Sequence, residues 1–281
     1  MKICYADLHL HTTASDGTQT ISQLVSRAAA VGLSIIAVTD HDTISPELNT
    51  RSHMRNGIEV ITGVEIKVDF DGIYGELLGY FIDPQAEALT DLFSRMQTAR
   101  EARMEEMVLR CRDYTGADIS LAEVRKLAAG SIGRPHLAQI LVRKKVVATK
   151  REAFDTLIGN GKPCYIPIPR PGFREAARAV HSAGGVTSIP HPCLMDVPDW
   201  EPFLAEVKEE GVDGIEAFYP YEDVNRELSI APNEIRALAE KHGFLLTGGS
   251  DDHGPGSVKE ELGKVRIPCK YVDRLKEFCG L

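Results

Sequence analysis

The sequence contains no Cys-x-x-Cys pair, although its 281 residues include six cysteines. They are widely spaced, at positions 4, 111, 164, 193, 269 and 279. Cysteine pairs at short spacing are the usual sign of a zinc knuckle, and a dense set in a short secreted chain indicates a disulfide framework. Because neither pattern is present, the sequence predicts reduced, buried thiols of a cytoplasmic protein.

The chain also lacks a long apolar run and an excess of positive charge. Its first residues, Met1 to Asp7, have no apolar core of the kind found in signal peptides, and no apolar stretch approaches bilayer length. The formal net charge is -9, whereas stable binding to duplex DNA needs a basic surface that displaces counterions. We therefore expect a soluble cytoplasmic protein with no membrane association and no stable duplex DNA binding.

What the sequence does contain is a set of metal-binding side chains just after segments that read as buried parallel strands. His9 and His11 are two positions apart, so their side chains point to one face of a strand and can hold one ion. Similar segments precede His41, Asp251 and His253. Ligands at the carboxyl ends of successive strands are typical of a barrel active site, so the whole set predicts a site for several metal ions. The other candidate ligands are Asp16, Glu65, Glu76 and His191.

Predicted strands and helices alternate over most of the chain. Strands are expected at 3–8, 34–38, 59–64, 186–189, 214–218, 244–248 and near 264–267, with a hairpin over 66–82 that turns at Asp71 and Gly72. Helices are expected after the first strand, from Ser45, over 173–182, near 200–210 and 225–241, and from about Tyr271. Roughly seven strand–helix units of this kind predict an α/β fold with a largely parallel sheet, and the nearest architecture is a distorted TIM-like (β/α)7 barrel.

The segment from 84 to 165 departs from this alternation, because it shows helical periodicity and no convincing strand. It carries 14 basic and 10 acidic residues, whereas the rest of the chain has a balance of -13. A basic insertion over an acidic, metal-loaded barrel suits a lid that binds phosphate, although scattered helix-surface charge explains the same count. The expected domains are a barrel formed by 1–83 and 166–281 and a helical insertion, the substrate lid, at 84–165.

Along the chain the candidate ligands belong to six short motifs, which are His-x-His at 9–11, Ser-Asp-Gly at 15–17, Thr-Asp-His-Asp at 39–42, Gly-Val-Glu at 63–65, His-Pro at 191–192 and Gly-Ser-Asp-x-His at 249–253. In this order, the motifs resemble those of the PHP (polymerase and histidinol phosphatase) metallophosphoesterases, and most of all the bacterial branch of small nucleotide phosphatases and 5′-to-3′ exoribonucleases. The resemblance covers nearly the whole chain. It implies three ion sites, the first formed by His9, His11, Glu65 and Asp251, the second by Glu65, position 76 and His191, and the third by Asp16, His41 and His253.

This ligand set suits two to three divalent transition-metal ions, such as manganese, iron or zinc, better than magnesium or calcium. The resemblance implies hydrolysis of a phosphate ester by a hydroxide that bridges the ions. The residues it places in the catalytic role are Glu65, Asp251, His191 and His253.

Glu76 stands where this family usually has a histidine. It shares one face of the predicted strand with Tyr74, Leu78 and Tyr80. A carboxylate on an apolar face needs a partner, because burying it unpaired is costly. A metal ion is the first candidate, and the alternative is that Glu76 pairs with an Arg or Lys while only two ions bind. With a carboxylate here the site should still attract phosphate, but less strongly than with histidine.

Candidate substrate contacts lie in the insertion. Arg134 and His136 belong to a Gly-Arg-Pro-His segment that resembles the phosphate-contact segment of the same branch, and arginine offers a bidentate fork for phosphate. The alternative is that Arg134 simply starts a helix and is solvated. Lys162, in a Gly-Lys-Pro turn, is a third and weaker candidate.

The favoured function is that of a phosphomonoesterase of nucleotides or short RNA ends, for example of 3′,5′-bisphosphonucleotides. Its partner would then be a small phosphorylated substrate, either a nucleotide or a short oligoribonucleotide. A histidinol phosphate phosphatase, a cyclic phosphodiesterase and a non-catalytic metal-binding module are the alternatives. The sequence does not specify the leaving group or the oligomeric state.

Overall fold

A computed structural model describes residues 4–128 and 132–281 of the chain. Ile3, the first residue of the predicted first strand, lies outside the described residues. The chain divides into two compact units, the first formed by Met1–Leu92 and Pro171–Leu281 and the second by Phe93–Arg170. The second unit overlaps the insertion expected at 84–165 but begins and ends later in the sequence.

The first unit is built on a nine-stranded sheet. The order along the sheet is β8-β7-β6-β5-β4-β2-β1-β9, and β3 pairs with β4 outside this path. The strands are β1 (Tyr5–Leu10), β2 (Ile35–Val38), β3 (Ser52–Arg55), β4 (Ile58–Phe70), β5 (Ile73–Tyr80), β6 (Val186–Ile189), β7 (Gly214–Phe218), β8 (Leu245–Gly248) and β9 (Ile267–Pro268).

The sheet curls until the residues that follow β8 lie against β1. The backbone N–H of Asp251, just after β8, donates to the carbonyl of His9 at 2.8 Å, and Leu10 forms a parallel bridge with Asp252. A side chain at Gly249 would collide with His9, because an added Cβ would lie 2.3 Å from the His9 Cβ. Glycine at 249 therefore permits the close approach that turns the sheet into a nearly closed barrel.

Parallel and antiparallel pairings both contribute to this barrel. The pairs β1–β2, β2–β4, β6–β7 and β7–β8 are parallel, whereas β1–β9, β3–β4, β4–β5 and β5–β6 are antiparallel. The sheet is thus more mixed than the predicted alternation of strands and helices implies. The long ribbon of β4 and β5 accounts for much of the difference, because a hairpin at Asp71 and Gly72 makes its two strands antiparallel.

The helices begin and end at recognisable local signals. Thr20 and Gln23 form a reciprocal capping box at the start of α1, and Pro232 occupies the first turn of α8. Helix α6 buries Phe173, Ala176 and Val180 at helical spacing. In chain order the helices are α1 (Ile21–Ala30), α2 (Glu87–Thr115), α3 (Leu121–Arg125), α4 (Arg134–Arg143), α5 (Lys150–Ala153), α6 (Phe173–Ser182), α7 (Trp200–Glu209), α8 (Pro232–Lys241) and α9 (Lys270–Phe278).

Between β2 and β4 one predicted helix does not form, and one strand was not predicted. Residues 45–49 form turns instead of the helix expected from Ser45, because Leu48 closes a turn on the carbonyl of Ser45 and the chain then enters β3. The sequence analysis also missed β3 itself, which forms a hairpin with β4. Asn56 and Gly57 both have positive φ, as a two-residue hairpin turn of this kind requires. The predicted strands at 59–64 and 66–70 are one continuous strand.

The prediction that all six cysteines are reduced is also wrong. Cys4 and Cys269 form a disulfide that joins the start of β1 to the end of β9 across 265 positions in sequence. The two residues are brought together by the antiparallel pairing of Tyr5 with Pro268. Spacing along the chain could not reveal this, because the contact arises only when the barrel brings both ends of the sequence together. Four cysteines, at positions 111, 164, 193 and 279, are free.

The second unit is helical and has its own apolar core. Its buried residues come from α2, α4 and the short helices near 121–125 and 150–158, and include Met104, Val124, Leu137 and Ile158. Residues 154–158 form a single π-helical turn. Among the residues that the structure describes, no helix is both long and apolar enough to cross a membrane.

Candidate metal centre

Most of the predicted ligands lie at or beyond strand ends on one rim of the barrel, and two glutamates lie within strands. His9 belongs to β1, and His11 follows it directly. His41 comes after β2, and His191 after β6. Parallel strands that end on one edge deliver their following residues to the same place, which is why positions far apart in sequence meet here. The remaining ligands are Asp16 in the loop after β1, Glu65 in β4, Glu76 in β5, and Asp251 and His253 after β8.

The first group of side chains comprises His9, His11, Glu65 and Asp251. The Nε2 atom of His9 lies 3.3 Å from Glu65 Oε1 and 3.6 Å from Asp251 Oδ1. The Nε2 atom of His11 lies 3.4 Å from Glu65 Oε2 and 3.2 Å from Asp251 Oδ1. All four side chains are almost completely buried, so two imidazoles and two carboxylates converge in a space closed to solvent.

A second group shares Glu65 with the first. The Nε2 atom of His191 lies 3.2 Å from Glu65 Oε1 and 3.4 Å from Glu76 Oε2. The Nδ1 atom of His41 lies 2.9 Å from Glu65 Oε2 and 3.6 Å from Glu76 Oε1. Glu65 therefore has imidazole nitrogens close to both of its oxygens, as expected of a carboxylate that serves two neighbouring sites.

A third group surrounds Asp16. Its carboxylate lies 3.3 Å from His253 Nε2, 3.7 Å from His41 Nε2 and 3.9 Å from His11 Nδ1. Asp16 is 57% exposed, whereas the carboxylates of the other groups are buried or mostly buried. This group therefore forms the solvent-facing side of the centre. The structure brings all nine predicted ligands into these overlapping groups.

The donor atoms fit metal ions because several of them are buried without any other partner. Among the described residues, the Nε2 atoms of His9 and His11, Nδ1 of His41, Oε2 of Glu65 and Oδ1 of Asp251 are inaccessible to solvent and form no hydrogen bond. Leaving one such polar atom unsatisfied typically costs about 1–3 kcal/mol, and here they all face one another. Divalent transition-metal ions take this mixture of imidazole and carboxylate donors.

The carboxylates and imidazoles of the centre shift one another's pKa values. Burial alone would lower the pKa of His191, but its hydrogen bonds to Glu65 and Glu76 raise that pKa to about 10. Burial would likewise raise the pKa of Asp251, yet the nearby imidazoles of His9 and His11 hold it far below the ordinary value. Without an ion, protonated imidazoles therefore stabilise these carboxylates as anions. A bound metal cation would supply that positive charge in place of the protons.

Two of the ligands are held in a backbone conformation that side chains rarely adopt. His191 has a φ of 31° and Asp251 a φ of 57°, both in the left-handed region. Non-glycine residues keep such a conformation only where surrounding contacts stabilise it, and they occur often at functional sites. At position 191 that stabilisation includes a hydrogen bond from the backbone N–H to Glu216 Oε2 at 2.7 Å.

The sequence analysis missed Glu216, a fully buried residue of β7. Its Oε1 atom lies 3.2 Å from Nδ1 of His9, so one carboxylate contacts a ligand from β1 and the backbone of a ligand after β6. The available signal was a glutamate inside an otherwise apolar strand, because an ionisable side chain is almost never fully buried without a partner.

Asp251 is also supported on its outer side by residues that the sequence analysis missed. Tyr219 donates a hydrogen bond to Oδ2 of Asp251 at 3.1 Å, and the Lys259 ammonium contacts the same oxygen. Oδ2 is therefore occupied, and only Oδ1 faces His9, His11 and the other ligands. Neither residue belongs to a motif, and Lys259 lies in a loop whose path the sequence does not predict.

Glu76 faces two of the other predicted ligands and also a lysine. Its carboxylate faces His41 and His191, and its Oε1 atom also lies 3.7 Å from the Nζ atom of Lys67. The apolar face expected around Glu76 is incomplete, because Tyr74 is 55% exposed while Leu78 and Tyr80 are buried.

The three candidate substrate contacts lie in the second unit. Arg134 is the first residue of α4, and its guanidinium donates to Asn160 Oδ1 at 3.0 Å and lies over the rings of Phe154 and Tyr165. The Nδ1 atom of His136 accepts a hydrogen bond from the backbone N–H of Gly133 at 3.1 Å and so caps α4. Arg134 therefore starts a helix, as the alternative reading held, but it is packed against two rings and is only partly exposed. Lys162 is exposed.

Comparisons with known proteins identify the family to which the chain belongs. Residues 7–160 match the PHP domain. The chain belongs to the PHP domain family. It is 32% identical to a 5′-3′ exoribonuclease of Haemophilus influenzae, over 75% of this chain and 77% of that protein. It is 29% identical to a 3′,5′-nucleoside bisphosphate phosphatase of Chromobacterium violaceum, over 92% of this chain and 90% of that protein.

Two further similarities cover nearly the full length. A phosphoribosyl 1,2-cyclic phosphate 1,2-diphosphodiesterase of Eggerthella lenta is 31% identical over 93% of this chain and 98% of that protein. The crystal structure of a Bifidobacterium adolescentis protein, provisionally described as a metal-dependent phosphoesterase, superposes with a TM-score of 0.73 at 29% identity, covering 96% of this chain and 95% of that one. The predicted PHP membership, barrel fold and class of metal-dependent phosphoesterase are confirmed.

Proposed function

We propose that this PHP phosphoesterase hydrolyses phosphate monoesters of nucleotides or short RNA ends, with 3′,5′-bisphosphonucleotides as the favoured substrates. The observation that carries the proposal is the convergence of buried, otherwise unpartnered donor atoms around Glu65. Such a centre suits phosphate esters because a cluster of divalent cations attracts and polarises phosphoryl oxygens. The bisphosphate phosphatase and the exoribonuclease among the relatives support the choice of substrate class.

The proposed ion sites follow the three groups of side chains. Two to three ions of manganese, iron or zinc are expected, since imidazole and carboxylate donors suit these metals. When bound, such ions lower the pKa of a coordinated water molecule and neutralise charge on the phosphoryl group. We assign the first ion to His9, His11, Glu65 and Asp251, the second to Glu65, Glu76 and His191, and the third to Asp16, His41 and His253.

The protein's own residues have separable tasks in this proposal. Glu65 and Asp251 hold the buried side of the centre, and their burial strengthens the electrostatic interactions that they make there. His191 and His253 are only partly buried, so they would hold their ions on the side from which a phosphate group enters, and a bound phosphate would lie against those ions. All four are proposed as catalytic residues.

The residues of the helical unit are proposed as substrate contacts. Arg134 has its guanidinium plane fixed by Asn160, Phe154 and Tyr165, and a fixed guanidinium is well suited to bind a non-reacting phosphate through two hydrogen bonds. Buried Arg103 adds a second positive charge near Arg134; burial and repulsion from Arg134 both lower its pKa, but a guanidinium stays protonated at neutral pH. In this proposal His136 and Lys162 contact phosphate beside Arg134, and the unit acts as a substrate lid.

The second candidate function is that of a cyclic phosphodiesterase. The similarity to the Eggerthella lenta enzyme, which extends over 98% of that protein, favours it. A histidinol phosphate phosphatase and a non-catalytic metal-binding module stay open as further alternatives. The cytoplasmic location stays a prediction.

A substrate panel separates these functions. The manganese-loaded protein would be incubated with a 3′,5′-bisphosphonucleotide, a nucleoside monophosphate, a short 5′-phosphorylated RNA, a ribose cyclic phosphate and histidinol phosphate. Released phosphate would be measured for the monoesters, and chromatography would detect the nucleotides released from RNA and the monoester formed from the cyclic phosphate. We expect the highest kcat/KM on the bisphosphonucleotide or the RNA. A preference for the cyclic ester would establish the second candidate instead, and no hydrolysis of any compound, with ions bound, would establish the non-catalytic module.

A further inference from the structure

Lys67 and Glu76 form a pair at the rim of the metal centre. They are direct cross-strand partners on the antiparallel ribbon of β4 and β5, so their side chains project from the same face. The Nζ atom of Lys67 lies 3.7 Å from Glu76 Oε1, and the two side chains are 31% and 20% exposed. The ammonium group therefore approaches the centre from its solvent side.

The two oxygens of Glu76 have different neighbours. Oε2 lies 3.4 Å from His191 Nε2, the atom that also lies 3.2 Å from Glu65 Oε1. Oε1 faces Lys67 and the Nδ1 atom of His41, the latter at 3.6 Å. One oxygen is thus directed to the proposed second ion site, while the other is beside a lysine.

A cation is needed at this position because Glu76 adds negative charge to a centre that already contains Glu65. The two carboxylates are close, because Glu65 Oε1 and Glu76 Oε2 both lie within 3.4 Å of His191 Nε2, and two like charges at such a separation repel each other. A lysine beside the outer oxygen offsets that repulsion without occupying the inner one. Together, Lys67 and Glu76 have no net charge, and the pair contributes to the centre what a single neutral ligand would contribute.

We propose that Lys67 is the positioning residue for Glu76: it pairs with Oε1, keeps Oε2 directed to the second ion site, and cancels the charge that the carboxylate adds. The inference rests on the proposed role of Glu76 as a ligand of the second ion. It implies that the centre attracts phosphate as strongly as one with a neutral ligand at position 76, in contrast to the weaker attraction expected from the sequence alone. It also implies that residues 67 and 76 can be exchanged only together.

The test is a calorimetric titration of chelator-treated protein with Mn²⁺, which measures affinity and stoichiometry without any substrate. Lys67→Gln removes a cation from beside the site, which by charge alone would tighten Mn²⁺ binding. A loss of about 10- to 100-fold at one class of site, with the others unchanged, is therefore expected only if Lys67 positions Glu76, and a gain in affinity would overturn the inference. Lys67→Arg should retain most of the affinity, because it keeps the charge. Glu76→His alone should leave Lys67 as an uncompensated cation, and the double variant Lys67→Gln/Glu76→His should bind manganese more tightly than either single variant.

The chain offers a closely matched control. Lys276 and Glu59 form another ion pair with a residue of β4, with exposures of 28% and 18% and a separation of 2.7 Å. Lys276→Gln should leave manganese binding unchanged. Equal effects of the two lysine substitutions, or wild-type binding by Lys67→Gln, would overturn the inference while leaving the metal centre intact. A wild-type protein that binds no manganese would overturn the proposed function as well, so the two failures are distinguishable.

Discussion

Glu216 and His9 form a buried pair in which a carboxylate oxygen lies 3.2 Å from the imidazole Nδ1 atom. The contact fixes the ring so that its Nε2 atom faces Glu65 and Asp251. A carboxylate behind a histidine also selects the tautomer with the proton on Nδ1 and leaves Nε2 free to bind a cation. Because Glu216 also accepts the backbone N–H of His191, it sets the position of ligands in two of the groups.

Replacing Glu216 with glutamine should therefore weaken metal binding without removing any ligand. We expect affinity to fall about 10- to 100-fold, as for other residues that orient metal-binding histidines. The measurement is metal retention during dialysis against a graded chelator. Glu222→Gln, on the exposed turn that follows β7, is the control. Wild-type retention by Glu216→Gln would show that the buried carboxylate has only a packing role.

The Tyr219 hydroxyl should support metal binding, because it donates a hydrogen bond to Oδ2, the oxygen of Asp251 that does not face the other ligands. Tyr219→Phe removes one hydrogen bond to a carboxylate, worth about 1.5–3 kcal/mol, so turnover and affinity for the first ion should fall roughly tenfold or more. Tyr221→Phe is the matched control, since its ring lies 4.9 Å from that of Tyr219 while its hydroxyl contacts the backbone of Cys193. If both phenylalanine variants lose the same activity, the hydroxyl of Tyr219 has no special role.

Arg134→Lys tests the proposed substrate contact. Lysine keeps the charge but loses the planar fork. The activation free energy that corresponds to kcat/KM should therefore rise by roughly one to three kcal/mol. A bisphosphonucleotide should lose more than a small aryl phosphate if Arg134 binds the non-reacting phosphate. Equal losses would place Arg134 at the reacting group instead, and no loss would leave it with only its packing contacts. Arg143→Lys, at the exposed end of α4, is the control.

The disulfide between Cys4 and Cys269 should stabilise the barrel, because it closes almost the entire chain into a loop. Its loss through Cys4→Ser/Cys269→Ser should lower the free energy of unfolding by about 2–4 kcal/mol, measured by urea denaturation without reductant. Cys279→Ser is the control. Denatured, unreduced protein should contain four titratable thiols, corresponding to the four free cysteines. Six thiols would show that the bridge does not form.

The part of the site that local spacing determines could be predicted from the sequence. The alternation of β1 places His9 and His11 on one face, and a strand ending before His41 or Asp251 carries that residue to the rim of the barrel. The supporting residues could not be predicted in this way. Glu216 and Tyr219 acquire their partners only from contacts between segments far apart in sequence. Lys259 contacts Asp251 within one loop whose path the sequence does not predict, and Lys67 faces Glu76 across the predicted hairpin, although its role beside the centre was not recognised.

The fold shows the same division. Helix α6 and strands β6 and β7 have the bounds that the hydrophobic pattern predicts. The segment after Ser45 has a cap and a proline at helical positions but is too short for a stable helix before β3 begins. Helix α8 begins at Pro232 and not near 225, because proline at the first turn sets its start. The disulfide depends on closure of the whole barrel.

The most direct test of the central claim is phosphate release from an aryl phosphate by chelator-treated protein before and after manganese is restored. Stripped protein should be inactive, and reloading should restore both turnover and two to three bound ions per chain. In the same assay Glu65→Ala should be at least about a thousandfold slower, because Glu65 contacts both buried groups of ligands. Unchanged activity of stripped protein, or near-normal turnover by folded Glu65→Ala, would contradict a catalytic metal centre at this site.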